Sequence, residues 1–240
     1  MNDQPLLQTR NLSMHFGGVR ALDQVDFSLS RGELRCLIGS NGAGKSTFFK
    51  CLTGQLTPTH GEVLLNGAEV GGLSSAAIAS RGVGIKTQVP NLFDGLTVFE
   101  NLWVSVRSVQ DNKSRDQIVE ETMERIGITH LSKLVAGEIE HGQRQFVELA
   151  MVVAESPELI LFDEPAAGLS AEETRRLADI IHELNREHAL IVVEHDMQFI
   201  RMIGKQVTVF HQGQILAEDE TDAILNNQQV RNVYLGKSAV

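Results

Sequence analysis

The stretch Gly39-Ser40-Asn41-Gly42-Ala43-Gly44-Lys45-Ser46 satisfies the pattern G-x-x-x-x-G-K-[ST]. The chemistry these residue types can do is phosphate binding. Glycines let successive backbone N–H groups curl around an anion without a Cβ clash. Lys45 supplies a point charge for β- and γ-phosphate oxygens, and the Ser46 hydroxyl is a hard oxygen ligand suited to a Mg²⁺ octahedron. A helix beginning at this point adds its positive end.

A second signal is Leu159-Ile160-Leu161-Phe162-Asp163-Glu164, an apolar run that ends in two carboxylates. A strand end would present Asp163 to a metal shell, and Glu164, one residue on, could reach an attacking water. The third is His195, in Val193-Glu194-His195-Asp196 after another apolar run. If both runs are strands of one sheet, His195 is aimed at the same edge as the carboxylates.

These groups meet only if strands and helices place them together. Leu34–Ile38, Leu159–Phe162 and Leu190–Val193 read as short strands buried on both faces, the sequence form of a parallel sheet. They alternate with longer helical patterns, which makes the class α/β. Val25, Phe27 and Leu29 instead alternate with polar residues, as in a half-exposed antiparallel strand. Val63-Leu64-Leu65 followed by Asn66-Gly67 reads as a hairpin with a tight turn. From about Asn91 to Glu155 the pattern is mostly helical. The expected organisation is therefore one domain over residues 1–240: a parallel nucleotide-binding core, an N-terminal antiparallel β subdomain, and a helical subdomain inserted at about 91–155.

Composition narrows the class. With 42% apolar residues, 21 glycines and 5 prolines the chain is neither disordered nor collagen-like. No apolar run approaches the ~18 residues of a membrane-spanning helix. Met1-Asn2-Asp3-Gln4-Pro5 has no basic region followed by an apolar stretch, so no secretory signal is expected. Cys36 and Cys51 lack C-x-x-C spacing and read as reduced core residues. With 21 basic and 31 acidic residues, and aromatics at 5%, neither nucleic acid nor an anionic lipid surface is the expected partner.

Taken together, these motifs resemble those of ABC-type ATPases, the nucleotide-binding domains of ATP-binding-cassette transporters, over essentially the whole chain. Within that resemblance Gln88 sits at the Q-loop glutamine, His195 at the switch histidine, and Phe16 at the aromatic that stacks on adenine; Glu140-His141-Gly142-Gln143 falls at the signature sequence. Phe16–Leu22, Glu164–Leu169, Val193–Met197 and the ending Val233-Tyr234-Leu235-Gly236, with no appended regulatory domain, are similar to the ATP-binding subunits of bacterial branched-chain amino acid and urea or amide importers. The resemblance implies a P-loop NTPase fold and hydrolysis of ATP with Mg²⁺. It places the loop residues Gly39 to Thr47 on the phosphates, Phe16 on the base, and Ser46, Gln88 and Asp163 on the metal. Glu164 becomes the water-activating carboxylate, with His195, Lys45 and Gln88 as the other catalytic groups. A second ATPase subunit would contribute its signature, equivalent to Glu140, Gly142 and Gln143, in trans. The further implied partners are transmembrane permease subunits and, indirectly, a periplasmic solute-binding protein, with the chain on the cytoplasmic face of the plasma membrane.

Two positions depart from the family pattern. Ser170 stands where many members carry an aspartate, and Ser170-Ala171-Glu172-Glu173 has a local explanation as a capping box. Glu140 stands where a phosphate-facing serine belongs. A carboxylate ~4 Å from a phosphate oxygen costs up to about 4 kcal/mol at an effective dielectric of ~20. Alternatively Glu140 turns away to pair with Arg144, one helical turn on, for ~0.2–0.5 kcal/mol. Either way a hydroxyl is missing, and the ATP affected is the one held by the partner. Three functions stay open at this point: an importer's ATPase, a soluble ABC ATPase not coupled to transport, and a non-hydrolysing regulator.

Overall fold

The computed structural model describes residues 4–106 and 112–234; Met1-Asn2-Asp3 and the Leu235-Gly236 pair of the C-terminal motif lie outside the described residues. The chain opens with an antiparallel pair, β1 (Leu7–Phe16) and β2 (Val19–Leu29), in which Val25, Phe27 and Leu29 alternate inward as their spacing implies. β3 (Leu34–Gly39) runs into the glycine-rich loop and α1 (Lys45–Leu52). β4 (His60–Leu65) and β5 (Ala68–Glu69) are joined by Asn66 and Gly67, whose φ angles of 52° and 75° are the two left-handed conformations a tight I′-type turn requires. These strands make a sheet in the order β2-β1-β4-β5.

After α2 (Ser75–Ala79) comes β6 (Val83–Lys86). Residues 91–155 hold no strand among those described; they carry α3 (Val98–Ser105), α4 (Arg115–Ile126) and α5 (His141–Ala154). β7 (Leu159–Asp163), α6 (Ala171–Leu184), β8 (Ala189–Val193) and α7 (Met197–Ile203) follow, then β9 (Gln206–His211), β10 (Gln214–Glu220), α8 (Thr221–Asn226) and α9 (Gln228–Tyr234). The larger sheet has the order β10-β9-β3-β8-β7-β6 and is parallel except for β10 at its edge.

The alternation of side chains along the buried strands divides the core in two. Ile160 and Phe162 of β7, with Cys36, Ile38, Leu190 and Val192, pack against α3–α6. Leu159 and Leu161, with Leu37, Ile191 and Val193, pack against α1 and the antiparallel sheet. One sheet thus fastens both flanking layers to the strand ends that matter for the site.

Candidate active site

The parallel register is nearly level at one edge. Leu37 of β3 pairs with Val193 of β8, Val193 with Asp163 of β7, and Phe162 with Lys86 of β6. The segments leaving these strand ends therefore emerge side by side: the glycine-rich loop, the His195 segment, the Asp163-Glu164 pair and the segment with Gln88. This is the edge at which open α/β sheets bind ligands.

The loop folds tightly because positions within it exclude a side chain. Gly44 caps α1 with φ of 109°, and a Cβ there would lie 2.8 Å from the Ala21 carbonyl oxygen. Lys45 is buried, and its Nζ donates to the Gly39 carbonyl at 2.6 Å and the Ser40 carbonyl at 3.3 Å. Burial pushes its pKa down, while the Glu164 and Asp163 carboxylates push it back up. An ammonium ion in this state gains from an anion delivered to the loop. Ser40, Asn41, Gly42 and Ser46 are exposed, Ala43 is buried beneath them, and Thr47 is half-buried. Phe16, at the end of β1, is 47% exposed, a large apolar ring open to a flat partner.

Glu164 is held by groups of three other residues. Its N–H donates to the Val193 carbonyl at 2.9 Å, which ties it to the end of β8, and its φ is 46°. Gln88 Nε2 donates to one carboxylate oxygen at 3.0 Å, and His195 Nδ1 lies 3.4 Å from the other. The carboxylate is thus held from both sides while only partly buried, the placement a base needs to reach a water. The sequence-predicted Lys45, Gln88, Asp163, Glu164 and His195 are brought together.

Asp163 is pushed above its ordinary pKa, first by desolvation and then by the neighbouring Glu164. Oxygen donors from Asp163, Ser46 and the Gln88 amide form a hard set that fits Mg²⁺, and a dication would relieve the charge crowding that raises Asp163. Because the folded-state pKa is raised, ionised Asp163 costs folding stability, a cost absent below the unfolded pKa and complete once pH exceeds the folded one. Asp163→Asn should accordingly raise the Tm of the nucleotide-free protein at pH 7, with the gain shrinking as pH falls through the carboxylate range. A lower Tm for the variant at pH 7 would contradict this assignment of cause.

Glu140, Gly142 and Gln143 lie elsewhere, at the start of α5, and none is joined by a described bond to Lys45, Asp163, Glu164 or His195. The expected Glu140–Arg144 pair does not form. Arg144 instead donates to Asp94 Oδ1 at 2.6 Å and to the Ala136 carbonyl at 2.5 Å. Glu140 is the N-cap of α5 in a reciprocal capping box with Gln143, whose Oε1 accepts the Glu140 N–H at 3.0 Å. Capping satisfies helix N–H groups that a solvated ion pair would leave open, so it wins. Gly142 is buried against the Glu173 carboxylate. Ser170 behaves as its local pattern implies: its Oγ accepts the Glu173 N–H at 3.3 Å, and its own N–H reaches Glu173 Oε2 at 2.8 Å.

Sequence reasoning passed over four residues at this edge. Glu194 is 1% exposed and accepts N–H bonds from Ala166 at 3.1 Å, His195 at 3.0 Å and Asp196 at 3.4 Å. It fixes the loop after Glu164 and the backbone of His195 together. Burial pushes its pKa up and those N–H groups pull it back. The other three are Lys86, Gln145 and Glu148, buried side chains joined behind Gln88. Lys86, Glu148 and Glu194 each carried a signal, a charged residue within or at the end of an apolar run, which needs a partner; Gln145, neutral and in a polar stretch, carried none.

The sequence model of the ABC transporter family matches residues 22–167. The high-affinity branched-chain amino acid transport ATP-binding protein LivG of Escherichia coli (strain K12) is 35% identical, with 98% of this chain and 99% of that protein covered. BraF of Pseudomonas aeruginosa, with the same description, is 34% identical at the same coverage. Among solved structures, the ADP conformation of MJ1267, an ATP-binding cassette of an ABC transporter, superposes with a TM-score of 0.85 at 26% identity, covering 98% of this chain and all of that one. The phosphate loop, the Asp163-Glu164 pair and the parallel sheet that aligns them thus belong to a member of the ABC transporter family, one of its ATP-hydrolysing subunits.

Proposed function

We propose that this subunit powers an importer for branched-chain amino acids, as a single cassette over residues 1–240 whose helical subdomain spans about 91–155. It would sit on the cytoplasmic face of the membrane against transmembrane permease subunits that receive solute from a periplasmic binding protein. Among the described residues no helix is long and apolar enough to cross a membrane. The full-length similarity to LivG and BraF supports the solute class.

The observation that carries the hydrolytic reading is Glu164 held between Gln88 and His195. ATP would lie with its base on Phe16 and its phosphates on the loop amides and Lys45. Glu164 takes the proton of the attacking water, while His195 bonds the γ-phosphate and steadies that water. Ser46, Gln88 and Asp163 would hold Mg²⁺, which when bound neutralises phosphate charge. Catalysis of this kind is mostly positioning and charge stabilisation. Two cassettes would meet head to tail, the start of α5 closing the partner's site. The test is reconstitution of the complex in proteoliposomes. Leucine uptake that requires ATP inside, binding protein outside and hydrolysis by this subunit is expected; ATP-driven uptake of sugars but not leucine would overturn the solute assignment.

In that pair, Glu140 faces the partner's ATP with a carboxylate where a hydroxyl would donate. An acceptor left buried and unpaired costs about 1–3 kcal/mol. Beside a partner with a serine in its signature, the complex should show one fast and one slow site; as a homodimer, two slow ones. Glu140→Ser should quicken the slow phase in single-turnover assays. Identical burst amplitudes and rates would remove any catalytic consequence of this residue.

A further inference from the structure

Lys86 closes β6 with its side chain 1% exposed, and Glu148, in the middle of α5, is 6% exposed; Nζ and Oε2 are 3.1 Å apart. Around this ion pair, bonds run to the segment carrying Gln88 both directly and through Gln145. Lys86 Nζ also donates to Gln145 Oε1 and to the Thr87 carbonyl at 3.2 Å. Glu148 Oε1 accepts the Thr87 hydroxyl at 3.0 Å and the Asn91 N–H at 3.1 Å. Gln145, three residues before Glu148 and so on the same helix face, donates from Nε2 to the Gln88 carbonyl at 3.2 Å. The backbone is gripped before Gln88, at Gln88 and after it. The only part of Gln88 left to the site is its side chain, which reaches Glu164 at 3.0 Å.

Burying two charges is a poor way to gain stability, because desolvation offsets much of their attraction and a well-packed apolar pair often does as well. What a fully bonded buried network does provide is one unique arrangement of the groups it touches. Residues 87–91 form no helix or strand and, without these bonds, have many conformations open to them.

We propose that the Lys86–Glu148 pair is a positioning element of the hydrolytic site, fixing the backbone around Gln88 to α5 so that its amide is held against Glu164. This rests on the role given to Gln88 and Glu164 above. Neither Lys86 nor Glu148 is bonded to Lys45, Asp163, Glu164 or His195. Their bonded route to the site is Gln88, beside the Lys86 charge that Asp163 feels, and a side chain displaced by about 1 Å can cost on the order of 10²-fold in rate.

Removing one partner leaves a buried charge and endangers folding, so the informative variant is Lys86→Met with Glu148→Gln, which is neutral and keeps an oxygen for Thr87 and Asn91. In the assembled transporter this double variant should keep its Tm within a few degrees and its KM and Kd for ATP, while kcat falls on the order of 10-fold or more. Lys86→Arg, which preserves the charge, should retain most of kcat. The deciding measurement is a cycle with Gln88→Ala: in that background the neutral pair should cause little further loss, since the bonded route through Gln88 is gone and only the Lys86 charge felt by Asp163 still changes. Wild-type kcat in the neutral-pair variant, or losses that multiply independently with Gln88→Ala, would overturn the proposal. If Gln88→Ala lowers kcat but the neutral pair does not, the positioning inference fails and the site assignment stands. If Gln88→Ala itself turns over normally, the site assignment fails and takes the inference with it.

Discussion

Glu164→Gln should bind ATP as tightly as the natural protein, or more tightly, and hydrolyse it slower by about 10²–10⁴-fold, the range a positioned base contributes. Glutamine preserves the shape and keeps an oxygen for the Gln88 amide, which lies 3.0 Å from the present carboxylate. It has no basicity, so the water's proton has nowhere to go. It also deletes a negative charge next to Asp163, which Glu164 crowds, and next to the phosphates. Affinity is therefore expected to be preserved while turnover is lost, and the closed pair of cassettes should accumulate with ATP trapped between them. Filter binding of labelled ATP beside phosphate release separates the two effects. Natural turnover in the variant would show that another group activates the water.

Lys45→Ala should fail one step earlier, at binding. The ammonium is the buried positive charge of the phosphate loop, held at 2.6 Å from the Gly39 carbonyl, and burial has already lowered its pKa. A hydrogen bond to a charged group is worth about 1.5–3 kcal/mol, and Lys45 would make such bonds to two phosphates, so ATP affinity should drop about 10- to 100-fold or more, with turnover abolished. The fold should survive. An ammonium whose pKa is lowered by burial is a cost to the nucleotide-free protein, so its loss offsets that of the two carbonyl contacts. Equilibrium nucleotide binding on protein with an unchanged melting transition is the measurement. Unchanged ATP affinity and turnover would remove Lys45 from the site altogether.

What could be read from sequence divides along a physical line. The loop from Gly39 to Ser46 and the Asp163-Glu164 pair are local: their chemistry is set by neighbours in the chain, and an apolar run before each marks the strand that carries it. β6 escaped notice because Val83-Gly84-Ile85-Lys86 is four residues long, contains a glycine and ends on a cation, too little for a period to show. β10 is an edge strand with half-exposed and exposed residues throughout, so burial left no stripe to find. Arg144 shows the opposite error. One helical turn from Glu140, it had a plausible local partner, yet it pairs with Asp94, fifty positions away in sequence. A weak local ion pair of ~0.2–0.5 kcal/mol yields to any tertiary partner with better geometry. The network behind Gln88 was invisible for the same reason: Lys86 and Glu148 are 62 positions apart, and nothing local says they meet.

At Glu164 the backbone and the side chain make opposite demands. With φ at 46°, this position suits glycine, and a side-chain-bearing residue held in that region gives up on the order of 1–3 kcal/mol. Chain preference and core packing would both accept the replacement, since the Glu164 side chain fills no part of the apolar core. Residue 164 thus combines a turn that glycine would suit with a carboxylate that Gln88 and His195 hold from two sides, so glycine there would ease the backbone and remove the held group in one step.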